Sequence, residues 1–124
     1  MTSMHGCEAI VFPPQTAQTA TVNGNDQTNY GARGVTVVVV TTAIGTGSIT
    51  CTIQGKDQGS GTYYTILAGA AIVTNTTNRY TVFPGAPVAA NVSANDQLPF
   101  QWRVVITHNN ANAASYTVGG STLA

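Results

Sequence analysis

The groups suited to acid–base, thiol or metal chemistry are few: carboxylates at Glu8, Asp26, Asp57 and Asp96, imidazoles at His5 and His108, thiols at Cys7 and Cys51. A structural or catalytic zinc needs three or four convergent His, Cys or carboxylate ligands. His5 and Cys7 stand close together, whereas Cys51 and His108 fall in separate strand-like segments, so no metal and no cofactor is expected. A Cys7–Cys51 disulfide is conceivable, but Cys51 occupies the apolar side of its segment, where a free thiol behaves as a small hydrophobe; two reduced thiols are the preferred reading. A Ser-His-Asp set can be drawn on paper from His108, Asp57 and a serine, yet no serine has the nucleophile-elbow surroundings, and the carboxylates sit in turn-like contexts. The glycines of 55–61 precede a strand, not the helix a phosphate loop requires. No catalytic residue is therefore assigned. Tyr63, Tyr64, Tyr80, Phe83, Phe100, Trp102 and Tyr116 could line a sugar-binding face, but neighbours such as Tyr63 and Tyr64 point to opposite sides of a strand, and ordinary core is the preferred reading.

Composition narrows the field. Four Lys plus Arg balance four Asp plus Glu in 124 residues, a charged fraction of 6%, where an average soluble domain carries about 25%. Arg33, Lys56, Arg79 and Arg103 are scattered singly, which excludes the basic cluster that neutralises nucleic-acid phosphates or the polybasic face that holds an anionic membrane. No apolar run approaches the roughly 20 residues of a membrane-spanning helix, and the beginning of the chain lacks the basic and apolar regions of a signal peptide. Polarity comes from Thr, Asn, Ser and Gln, a surface that tolerates dense packing against other protein.

The elements that must position these residues read as strands. Val35–Thr42 is a β-branched run, expected as a strand buried on both faces. In 48–54, Ile49, Cys51 and Ile53 share one side, and a hairpin with the preceding run is expected. Turn chemistry at 55–61 leads into 62–67 as a second hairpin. Further strands are expected at 72–74, at 79–83 up to Pro84-Gly85, as a short piece within 88–92, at 100–108 and at 115–118. Val37, Val39, Ile53, Trp102, Val104 and Ile106 are the expected core. Residues 1–32, with Pro13-Pro14 and no sustained period, read as an extended N-terminal arm anchored at Ile10-Val11-Phe12, and residues 33–124 as one domain. Many short strands and no helical period imply an all-β fold, a single antiparallel β-sandwich or small barrel.

Five short blocks carry a resemblance: Arg33-Gly34-Val35, Ile53-Gln54-Gly55-Lys56-Asp57, Ser60-Gly61-Thr62-Tyr63-Tyr64, Tyr80-Thr81-Val82-Phe83-Pro84-Gly85 and Leu98-Pro99-Phe100-Gln101-Trp102-Arg103-Val104. In this order, from Arg33 to Leu123, the chain resembles the small decoration, or cement, proteins of tailed-bacteriophage heads. It departs from their pattern at Gln58 and Phe100, where a proline and a basic residue are usual. The resemblance implies a virion protein assembled in the host cytoplasm, bound to the outer face of the capsid through the major capsid protein, bridging capsomers and self-associating as a dimer or trimer. The contact residues expected are Ile10, Val11, Phe12, Pro13 and Pro14 in the arm and Lys56 and Asp57 in the turn. A virion-displayed carbohydrate-binding module and a head–tail or tail component are the competing expectations.

Overall fold

The computed structural model describes residues 9–123. Among the described residues eleven strands run in chain order: β1 (Ala9–Val11), β2 (Gln15–Gln18), β3 (Val22–Asn23), β4 (Gln27–Thr28), β5 (Gly34–Ala43), β6 (Ile49–Lys56), β7 (Tyr63–Ala68), β8 (Thr77–Val82), β9 (Ser93–Ala94), β10 (Gln101–His108) and β11 (Ala114–Leu123). No helix is present among the described residues. One sheet has the order β1-β11-β5-β8-β9 with β2 also on β11; the other has the order β3-β10-β6-β7 with β4 also on β10. Pairing is antiparallel throughout except between β8 and β9. The sheets face one another as a sandwich and do not close into a barrel.

The core lies where the alternating apolar sides meet. Val35, Val37 and Val39 of β5, with Tyr116 and Val118 of β11, pack against Ile49, Cys51 and Ile53 of β6 and Trp102, Val104 and Ile106 of β10. The β5 run is buried on one face only: Thr36, Val38 and Val40 on its outward side are half-buried. A parallel-sheet strand would be covered by helices on its second face, and this antiparallel sheet has none.

The expected hairpin between β5 and β6 does not form. β5 pairs with β8 and β11, β6 with β7 and β10, and residues 44–48 carry the chain from one sheet to the other. Ile44, buried at 4% exposure, plugs the crossing, and Gly47 N–H closes a turn on its carbonyl at 2.7 Å. Period-two alternation reports which side faces inward and is silent about which strand lies alongside. The hairpin of β6 and β7 is present, Lys56 opposite Tyr63. Of 72–74, only Ile72 is bridged, to Ile49; 88–92 bends through Asn91 at φ 64° instead of extending.

Residues 9–28 are extended and lie along both sheets. β1 and β2 border β11, and β3 and β4 border β10. The chain thus crosses from sheet to sheet along one side of the sandwich.

Candidate interaction surface

Within the N-terminal segment the side chains alternate. Ile10 and Phe12 are half-buried against the core, Phe12 N–H donates to Val118 O at 3.1 Å, and its ring would lie 3.3 Å from a Cβ on Gly24. Val11 points the other way and is 84% exposed. Pro13 and Pro14 are also exposed. The register puts Val11 opposite Gly119, Gly119 opposite Val38, and Val38 opposite Arg79. The flanking rows are Ala9, Ser121, Thr36 and Thr81 on one side, and Thr117, Val40 and Thr77 on the other. The outer face of this sheet is therefore a lattice of small Thr, Ser, Gly and Val side chains around one cation, with Val11 at its border.

Lys56 and Asp57 stand on the other sheet. Asp57 builds its turn: its carboxylate accepts from Ser60 Oγ at 2.7 Å, Ser60 N at 3.1 Å and Gly59 N at 3.4 Å. Those bonds, the Ser60 hydroxyl first, hold its pKa below the usual carboxylate value. Gly61, at φ +76°, occupies the position of the turn that a side chain would strain. Lys56 Nζ pairs with Asp26 Oδ2 at 3.0 Å, and Tyr63 OH donates to Asp26 Oδ1 at 2.6 Å. These bonds, Tyr63's first, lower the Asp26 pKa. The Arg103 guanidinium lies 3.5 Å from the Tyr63 ring centroid while its Nε donates to Gln54 Oε1 at 2.8 Å. Three of the eight charged side chains thus converge on Tyr63. Sequence reasoning placed Lys56 here and missed Asp26, Tyr63 and Arg103. The link is visible only once β6 is paired with β7 and β10, because Asp26 is 30 residues distant in the chain. The two expected contact patches lie on different sheets: Ile10 and Val11 run along β11, whereas Lys56 and Asp57 stand at the end of β6.

The groups suited to acid–base and thiol chemistry are dispersed. His108 Nε2 lies 2.9 Å from Tyr116 OH, and its partial burial lowers its pKa. Cys51 is a buried free thiol pushed up to about 12 by desolvation. No group of three or more His, Cys, Asp or Glu is gathered as metal ligands among the described residues; His5 and Cys7 lie outside them. Trp102, Tyr80 and Tyr116 are core, Tyr63 is covered by Arg103, and the exposed rings of Tyr30, Tyr64 and Phe100 make no close ring pair with one another among the described residues. A cavity of about 230 Å³ opens between 12–15 and 22–25, floored by Val104, Ile106, Tyr116 and Val118.

The fold is similar to that of solved proteins. The crystal structure of PirA superposes with a TM-score of 0.53 at 12% identity, covering 97% of this chain and 96% of that one. The SPBc2 prophage-derived protein YomS superposes with a TM-score of 0.52 at 13% identity over 100% of both chains. Identities this low show a shared all-β architecture, end to end. No protein-family model and no curated protein matches the sequence.

Proposed function

We propose that the chain is a capsid decoration protein of a tailed phage, held on the outer surface of the head by the outer face of the β1-β11-β5-β8 sheet. The observation that carries this reading is the face itself: three rows of Thr, Ser, Gly and Val with Arg79 as its one charged position. Apart from Arg79, which needs an acidic partner on the shell, such a face loses little by desolvation when covered, since small hydroxyls and β-branched methyls carry no charge. Val11, Pro13 and Pro14 extend it at the border, and Ile10 and Phe12 fix them there from the inner side. Lys56 and Asp57 belong to the opposite sheet and face neighbouring copies or capsomers. The sequence blocks that resemble cement proteins support the reading, as does the prophage derivation of YomS, which has the same fold. Each copy contributes a modest contact, and placement across a capsomer joint makes the second contact effectively intramolecular. Many symmetric copies would then resist the outward pressure of packaged DNA.

The glycan-binding reading is less well supported, because the exposed aromatics form no stacking platform. The decoration reading is tested by incubating purified protein with shells assembled from a tailed-phage major capsid protein, followed by reconstruction of the particle. Lattice-wide density on the outside is expected, and Val11→Glu, which changes an exposed side chain only, should lower occupancy at least about tenfold. Bare shells, or undiminished binding by the variant, would refute it.

A further inference from the structure

Most strands at the sheet borders are protected against pairing with other chains. β1, β2, β3, β4 and β9 are two to four residues long, and Pro13-Pro14 interrupts the β1–β2 border. Short strands and proline are the usual devices that blunt an edge. β7 has neither. It is six residues long, Tyr63-Tyr64-Thr65-Ile66-Leu67-Ala68, pairs only with β6 among the described residues, and lacks proline and charge. A bulge displaces Ile66, but Tyr63, Tyr64 and Thr65 keep their register with Lys56, Gly55 and Gln54.

The surroundings leave the edge approachable. A groove of about 410 Å³ separates Ile66–Ala68 from the wall formed by 88–91 and 93–96, and no backbone hydrogen bond crosses from that wall to β7 among the described residues. Thr65 and Tyr64 are exposed.

Charge decides the occupant. Twofold antiparallel addition brings a strand against its own sequence, so any charge on it meets the same charge nearby, and like charges directly opposite are destabilising. From 58 to 78 the chain carries no charged residue at all. Tyr, Thr and Ile are also residues whose cross-strand pairs stabilise a sheet. We infer that β7 is a self-association edge: two copies add β7 to β7 antiparallel about a twofold axis near Thr65, joining two β3-β10-β6-β7 sheets into one continuous sheet. This association leaves the outer face of the other sheet uncovered and does not depend on capsid binding.

Sedimentation equilibrium of the full chain from low to high micromolar concentration tests it. The wild type should approach twice the monomer mass, and hydrogen exchange across 63–68 should slow as the dimer forms. Thr65→Lys places two like charges beside the axis on an exposed position; it should weaken dimerisation at least about tenfold while circular dichroism and the urea midpoint stay at wild-type values. Val11→Glu, on the far sheet, should leave the dimer intact. A wild type that stays monomeric, or a dimer indifferent to Thr65→Lys, overturns the inference. So does a monomer whose 63–68 amides gain protection only on shells, which would make the added strand a capsid one.

Discussion

Phe12→Ala measures whether the N-terminal segment belongs to the sandwich. Truncating a buried Phe or Trp to Ala costs about 3–5 kcal/mol, transfer and cavity terms together. Phe12 is half-buried, on the wall of an existing cavity, so about half of that, roughly 2 kcal/mol, is expected. At roughly 4 °C per kcal/mol for a domain of this size, Tm should fall by about 8 °C. The adjacent Val11→Ala is the internal control: at 84% exposure it should change stability by less than about 0.5 kcal/mol. Urea unfolding followed by the fluorescence of Trp102, the chain's one tryptophan, is the assay. Trp102 is fully buried on β10 beside Gln27 of β4, so it reports the same border. A free arm requires both substitutions to be silent. Two small and equal effects would therefore refute the argument that alternate residues of this segment close the core.

Removing one member of the Asp26 cluster should have graded effects. Tyr63→Phe should cost about 1 kcal/mol and Lys56→Ala less, since exposed ion pairs contribute little; a double-mutant cycle by urea denaturation gives the coupling. His108, with a folded pKa below its ordinary value of 6.5, binds its proton more readily when unfolded. Stability should therefore fall as pH drops below about 6.5, and His108→Gln should remove that limb of the urea-midpoint profile. A second loss should begin near and below 3.8, where Asp26 and Asp57, both lowered, must be protonated in the folded state. In a Cys7→Ser background, Cys51 should resist thiol reagents in the native protein and react at once in urea, since only an exposed thiolate is nucleophilic.

β6 and β10 are legible because apolar residues recur at every second position, Ile49, Cys51 and Ile53 in one and Trp102, Val104 and Ile106 in the other; β8 is legible from Tyr80 and Val82 before Pro84-Gly85. β11 was read only as 115–118: Gly119-Gly120 hides the rest, since glycine has no side chain to mark a face. Gly120 is accommodated there by close strand approach, as a Cβ on it would lie 3.2 Å from Thr36 O. β1 to β4, at two to four residues, are too short to display any period. They are held by partners near the end of the chain, which no local pattern names. The same separation hid the Asp26 cluster. Lys56 and Asp57 drew attention as turn residues, but the groups gathered around Lys56 arrive from 26, 63 and 103 by tertiary pairing.

The lacing of the first strands onto the last has a consequence for biosynthesis. β1 finds its neighbour at Gly119–Ser121 and β3 at Val105–Ile106, stretches made long after them. As the polypeptide leaves the ribosome, Ile10 and Phe12 must wait, unshielded, until β11 has been made. Such distant pairings close slowly and leave apolar segments open to wrong partners meanwhile. Nascent chains stalled before β11 should thus be protease-sensitive throughout, and the domain should mature in one event once β11 has emerged rather than strand by strand.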